Sequence, residues 1–419
     1  MIEHGYTILV MAAIFGFFMA WAIGANDVAN AMGIAVGSNI LSLRQAIIVA
    51  SIFEALGSIL ASGNVTSTIS HGIVKVSAFE AHPHLLISGM LSALLASGVW
   101  LFIASIKGWP VSTTHTIIGA VFGFGWVCVG LENIYWESIL SIFSSWILTP
   151  LFSGIVSYFL FRLVKKTIFE KEKPAKAAKR TVPYYVFLVV NIISSVIFFG
   201  SIDTLHLQLS THTSMAIILT ISLIAALLSY FWLRRIALHK AKRSLKDSYF
   251  LVEKVFGTLA IVTSCAMAFA HGSNDVANAI APLAAIASIV DTESATAANA
   301  LIPGWIFFLG AFGIVLGVTT YGYKVIATVG KGITDLTPTR GFVAQLATAS
   351  IVVISSGLGM PVSTTHILVG SVLGVGMARG IEAININVVR NIFLSWFVTF
   401  PVGMLLAMIF FKIISFFIY

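Results

Sequence analysis

Two acidic residues in this chain stand where a carboxylate is costly. Asp27 ends a long apolar run in Gly24-Ala25-Asn26-Asp27-Val28-Ala29-Asn30-Ala31, and Asp275 ends another in Gly272-Ser273-Asn274-Asp275-Val276-Ala277-Asn278-Ala279. An ionised group at bilayer depth costs ~2.5–3.5 kcal/mol on insertion scales, so it is retained beside a counter-charge or water. Asn26 and Asn30 flank Asp27 at i−1 and i+3, as Asn274 and Asn278 flank Asp275. Each trio offers hard oxygen ligands of the kind that suit a hard cation such as Na⁺. A helix-capping turn is the structural alternative, because Asn and Asp favour caps. Recurrence of the whole block argues against it.

A second block also occurs twice, Pro110-Val111-Ser112-Thr113-Thr114-His115 and Pro361-Val362-Ser363-Thr364-Thr365-His366. Proline followed by hydroxyl residues and then an apolar run marks a helix N-terminus. The free N–H groups and positive dipole end of such a terminus hold anions. Ser112, Thr113 and Thr114, with Ser363, Thr364 and Thr365, add hydroxyl donors. Two such termini facing each other would cup a tetrahedral oxyanion. N-capping and Ser/Thr packing between membrane helices explain the hydroxyls equally well, but not the duplication.

An oxyanion and two carboxylates repel. At an effective dielectric of ~20, like charges ~4 Å apart cost roughly 4 kcal/mol. The anion binds only when Na⁺ or protons neutralise the aspartates, so cation coupling is expected. Glu54, inside another apolar run, is a further candidate for a proton or coupling role, and the stretch around Gly310 in the second half has no carboxylate to match it. His115 and His366 are candidate proton relays; orienting a nearby carbonyl or hydroxyl is their structural alternative.

The elements that must position these residues are membrane helices. Hydrophobic residues make up 58% of the 419 and charged ones 10%, far below the ~25% charged of soluble domains. The fold class is therefore an all-α polytopic membrane protein in a lipid bilayer. About twelve segments are predicted, near 5–24, 44–63, 85–106, 111–131, 139–163, 184–201, 212–233, 250–271, 299–323, 341–359, 362–380 and 388–416, with broken or re-entrant helices at the motif sites. With the N-terminus outside, every Lys and Arg of the 24 except Lys75 and Lys412 falls inside, as the positive-inside rule requires. Both termini are then predicted outside. The net charge of +8 is accounted for without nucleic acid. Cys128 and Cys265 read as buried free thiols, and no nucleotide-binding loop of the Walker type is present.

The two block pairs recur at nearly constant offset, 275 − 27 = 248 and 361 − 110 = 251, and Ser145-Trp146 with Pro150 is echoed by Ser395-Trp396 with Pro401. Residues 1–163 and 250–419 read as two copies of one five-segment unit. Residues 164–249 supply basic cytoplasmic linkers, 164–183 and 234–249, and two intervening helices. The first segment and its copy are seven crossings apart, so the copies lie in opposite orientation. Inverted repeats are a transporter architecture with the site where the repeats meet.

At these residues the chain resembles the inorganic phosphate transporter family, the Pit or Pho-4 type of sodium- or proton-coupled permease. The resemblance implies a secondary symporter, not an enzyme, that carries inorganic phosphate across the cytoplasmic membrane. It implies no cofactor beyond the coupling Na⁺ (or H⁺), and a homodimer. Carried over by motif, Asn26, Asp27, Asn274 and Asp275 lie nearest the cations, and the six Ser and Thr residues contact phosphate. A sulfate permease or a proton-coupled metal–phosphate permease on the same scaffold is the alternative. An intramembrane hydrolase, which gives no reason for two opposed copies, and an anion channel, which would conduct without a cation gradient, belong to different classes.

Overall fold

The computed structural model describes residues 5–201, 210–235, 245–292, 294–295, 302–329, 336–380 and 386–418. Most of the second basic linker (236–244) and the start of the ninth predicted segment (299–301) lie outside them. Fifteen α-helices are described: α1 (Gly5–Gly37), α2 (Leu43–Leu60), α3 (Gly63–His71), α4 (Pro83–Lys107), α5 (Thr113–Val129), α6 (Trp136–Val164), α7 (Pro174–Ser201), α8 (Thr211–Arg235), α9 (Leu245–Asp275), α10 (Ala277–Thr292), α11 (Gly304–Thr320), α12 (Gly322–Val329), α13 (Pro338–Gly357), α14 (Thr364–Arg379) and α15 (Ile386–Ile418). Eight helical stretches are long and apolar enough to cross a membrane, and α5 and α11 are shorter apolar helices.

The end of the bundle at which α1 begins is here termed the top. Helix α4 runs downward beside α1, with Gly98 against Phe18 and Ser105 beside Asn26. It ends at Gly108, whose φ of 66° is the left-handed C′ conformation that glycine adopts without strain. The chain reverses and α5 returns to the top, bringing Phe124 back against Gly89. Helices α13 and α14 form a second hairpin, tied by Thr348 Oγ1 donating to Ser371 Oγ at 2.9 Å and reversed at Gly359 with φ 67°.

The two hairpin tips meet. Thr114 Oγ1 donates to the Val362 carbonyl at 3.0 Å, and Thr365 Oγ1 to that of Val111 at 3.4 Å. Helix α6 starts at the top beside α5, with Trp136 against Phe122. It passes the tips at Trp146 and continues down α14, where Pro150 and Gly154 lie against Gly370 and Gly374. Helix α15 passes the tips at Trp396 and follows α5, where Phe400 and Met404 lie against Gly119 and Gly123. The hairpins therefore enter from opposite ends. Glycine at each crossing lets backbones touch; at Gly370 a Cβ would overlap the Pro150 carbonyl.

Contacts of one half recur in the other. Gly57 of α2 sits on the backbone of Phe269 and Ser273, and Gly317 of α11 on that of Trp21 and Ala25. Since 269 − 21 = 273 − 25 = 248, residue 57 corresponds to 317, and Glu54 to Ile314. Gly272 against Glu54 and Gly24 against Ile314 repeat the correspondence.

Three expectations need correction. The first Asn-Asp block is not at a broken helix: α1 runs unbroken through it to Gly37, well beyond the predicted end at 24, whereas the second block is interrupted, at Val276 between α9 and α10. The linker 164–183, expected as a solvated connection, is largely helical and partly buried. A π-helical turn, Lys165–Phe169, leads to α7. Ala175, Ala178, Val182, Tyr185 and Val189 recur at helical spacing and are buried, an apolar stripe that holds the helix down while its lysines stay outward. Cys128 and Cys265 are free but only partly buried.

Candidate functional site

The helices bring both aspartates to the place where the hairpin tips abut. One oxygen of Asp27, one of Asp275 and a ring nitrogen of His271 lie within 4.8 Å of one another, and none of the three residues is more than 1% exposed. Asn30 Nδ2 donates to Asp27 Oδ1 at 3.3 Å and crosses to the Thr364 and Thr365 hydroxyls at 3.3 and 2.8 Å. Asn278 Nδ2 crosses the other way to Thr113 and Thr114 at 3.3 and 3.4 Å. Thr364 Oγ1 donates to Asp275 Oδ2 at 2.8 Å. Each block thus reaches into the hairpin of the opposite half.

The remaining block residues hold the hairpin arms. Asn26 donates to the Trp109 carbonyl at 2.9 Å and to Ser105 Oγ at 3.3 Å, and accepts from Val111 N–H at 3.3 Å. Asn274 donates to Ser356 Oγ at 2.8 Å, while its own carbonyl oxygen has no donor among the described residues. Ser112 and Ser363 are N-caps that accept from His115 N–H and His366 N–H at 3.2 and 3.3 Å, which is the capping role sequence leaves open. Thr114 and Thr365 brace the tips. Thr113 and Thr364 are the hydroxyls turned toward the aspartates.

Glu54 joins the cluster through His271, a residue the motifs do not flag. Its carboxylate is 3.3 Å from His271 Nδ1, and His271 Nε2 is 2.8 Å from Asp275 Oδ2. The available signal is a mismatch between the copies: His271 precedes Gly272 where the first copy has Ile23 before Gly24. His115 and His366 do not join. Each imidazole stacks on an indole, His115 on Trp146 at 3.6 Å and His366 on Trp396 at 3.5 Å, and the two rings meet at 4.3 Å. Both line an apolar cleft between α6 and α15. His366 Nδ1 lies 3.4 Å from the Trp146 carbonyl, whose helical donor four residues on would be Pro150, which has no N–H.

Three buried carboxylates therefore face one imidazole. Asp27 Oδ2, Asp275 Oδ1 and both oxygens of Glu54 receive no aligned hydrogen bond from the described residues. Buried charge in this arrangement calls for a compensating cation. Asp27 and Asp275 supply the carboxylate oxygens that suit a hard cation, and the His271 nitrogen lies among them.

Comparisons with known proteins identify the family. The phosphate transporter family matches residues 23–407. A Haemophilus influenzae protein provisionally described as a phosphate permease is 48% identical over 98% of both chains. The chloroplastic inorganic phosphate transporter 2-1 of Arabidopsis thaliana is 42% identical over 96% of this chain and 72% of its own. A solved structure of a protein described as the sodium-dependent phosphate transporter superposes with a TM-score of 0.90 at 38% identity, covering 98% of this chain and 99% of that one. This chain belongs to the phosphate transporter family, and is a multi-pass membrane transporter rather than an enzyme.

Proposed function

We propose that this chain is a secondary symporter that imports inorganic phosphate with Na⁺ across the cytoplasmic membrane. The observation that carries the reading is the meeting of Asp27 and Asp275 at the junction of two opposed hairpin tips. Na⁺ binds at Asp27 and Asp275 with Asn oxygens beside them. Phosphate binds between the tips, to the N–H groups that open α5 and α14 and to Thr113 and Thr364, with the four other block hydroxyls framing it. Cations on the aspartates remove the repulsion that would exclude the anion. The recurring contacts of the halves, and hairpins that enter from opposite ends, support two inverted repeats with about twelve crossings. Such a pair has inward- and outward-open states of similar energy. The basic turn around Lys165 marks the cytoplasmic bottom, so both termini face outward, and a homodimer is the assembly. Sodium is favoured over the proton by the likeness to a transporter described as sodium-dependent.

Proteoliposomes test this directly. Labelled phosphate uptake is expected with an inward Na⁺ gradient at equal pH, blocked by arsenate and indifferent to sulfate. Uptake driven only by a pH gradient would overturn sodium coupling. Block by sulfate and not by arsenate would make the chain a sulfate carrier.

A further inference from the structure

Glu54 is the inner end of a polar file. Glu54, Ser58, Ser62, Thr66 and Ser70 follow one another every four residues along α2 and α3, and none is more than 5% exposed. Each hydroxyl donates to the carbonyl four residues back: Ser58 to Glu54 at 2.7 Å, Ser62 to Ser58 at 2.8 Å, Thr66 to Ser62 at 2.7 Å and Ser70 to Thr66 at 2.8 Å. With its proton so engaged, each oxygen presents lone pairs.

Back-bonding of this kind is common for Ser and Thr in membrane helices and carries nothing alone. Three observations go further. The same packing positions in the other half, at 260 residues' offset, are Ile314, Val318, Gly322 and Ile326, so packing does not require hydroxyls there. The inner end is a fully buried carboxylate without an aligned donor among the described residues, and Glu54 and Ser58 both meet the His271–Gly272 segment, at 3.3 and 3.2 Å. The outer end is α3, where Ser67 is exposed and Thr68 half-buried.

We propose that the file Ser70–Thr66–Ser62–Ser58 is an entry route for Na⁺ that ends at Glu54 and serves the Asp275 half alone. The inference rests on the sodium-driven reading above. The oxygens run from Ser70 and Thr66 of α3 through Ser62, at the junction of the two helices, to Ser58 of α2. They replace part of the ion's water, and the carboxylate supplies the charge that draws it inward. The Asp27 half has only an apolar face in this position, so the two aspartates load by different routes.

The test uses the full-length protein in proteoliposomes and ²²Na⁺ binding, which does not depend on phosphate movement. Ser62→Ala with Thr66→Val is expected to slow the rate of ²²Na⁺ association about tenfold. Thr66→Ser and Ile326→Thr are expected to leave it unchanged. In a Cys128→Ala, Cys265→Ala background, Thr66→Cys and Ser70→Cys should react with a charged methanethiosulfonate and be protected by Na⁺, whereas Val318→Cys and Ile326→Cys should stay inert. An unchanged rate of ²²Na⁺ association in the double variant, or inert thiols at 66 and 70, would overturn the route. Wild type that binds Na⁺ but carries no phosphate would sink the symport reading and leave the route standing. Wild type that binds no Na⁺ would sink both.

Discussion

At the scale of single residues, the aspartates are where charge decides behaviour. Asp27 and Asp275 share a pocket with Glu54 and His271, so neutralising either one changes both cation affinity and the repulsion felt by the anion. Removing one partner from a buried charge pair costs ~3–5 kcal/mol, and each ~1.4 kcal/mol is tenfold. Asp27→Asn and Asp275→Asn are therefore expected to lower Na⁺-driven phosphate uptake by about 100-fold or more, with an unchanged gel-filtration profile in detergent. Normal uptake in both variants would remove the aspartates from the cation sites. His71 gives a pH prediction away from that pocket. Burial holds its pKa below the ordinary value of 6.5. The unfolded chain then binds a proton that the folded one excludes, so His71 contributes stability above about pH 6.5 that declines as pH falls toward the depressed value. Thermal denaturation should show a lower midpoint at pH 5 than at pH 7.5, and His71→Gln should flatten the difference.

At the scale of elements, packing depends on glycines where helices cross. Gly317 of α11 rests on the Trp21 carbonyl, and Gly374 of α14 on that of Gly154. A side chain at Gly317 has only backbone to displace, one at Gly374 meets the Gly154 carbonyl and the Ser157 hydroxyl, and overpacking typically costs ~1–3 kcal/mol. Gly317→Val or Gly374→Val is expected to lower the melting temperature in detergent. Gly357→Ala, where an added Cβ meets nothing within 4 Å, should be neutral or stabilising. This scale also marks what a sequence can and cannot disclose. The doubled blocks placed the aspartates, the capping serines and both hairpin tips, because those depend on local pattern and on recurrence. The unbroken course of α1 through Asn26 and Asp27 was hidden, because Asn and Asp read locally as capping residues. What offsets that preference is tertiary: Asn26 finds Trp109 and Val111 on the hairpin. The start of α7 was hidden because its apolar stripe lies among lysines that dominate a hydropathy window.

At the scale of the whole molecule, the two halves are alike in path and unlike in chemistry. Ile23 and Ile314 in one junction stand where His271 and Glu54 stand in the other. Recurrence announced the shared residues, whereas His271 lay in the difference between the copies and needed the fold to bring it to Glu54. The asymmetry bears on energetics. If one Na⁺ binds at each aspartate, two positive charges cross with each phosphate. With a divalent anion nothing net moves, and with a monovalent one a single positive charge enters. That charge is worth ~2.3 kcal/mol per 100 mV, or about a 45-fold change in the accumulation ratio. Potassium-loaded proteoliposomes with valinomycin set the potential while the Na⁺ gradient is held constant. Uptake is expected to rise steeply with an inside-negative potential at acidic pH, where the monovalent anion predominates, if that is the species carried. A flat response at every pH would mean that the divalent ion is carried with two Na⁺. A response as steep at alkaline pH as at acidic pH would mean that the monovalent ion is carried at both, and a slope of two charges per phosphate would require a third cation. The extra carboxylate Glu54, present in one half only, is the first place to seek it, and Glu54→Gln should then lower the voltage dependence by one charge per phosphate while sparing binding at Asp27.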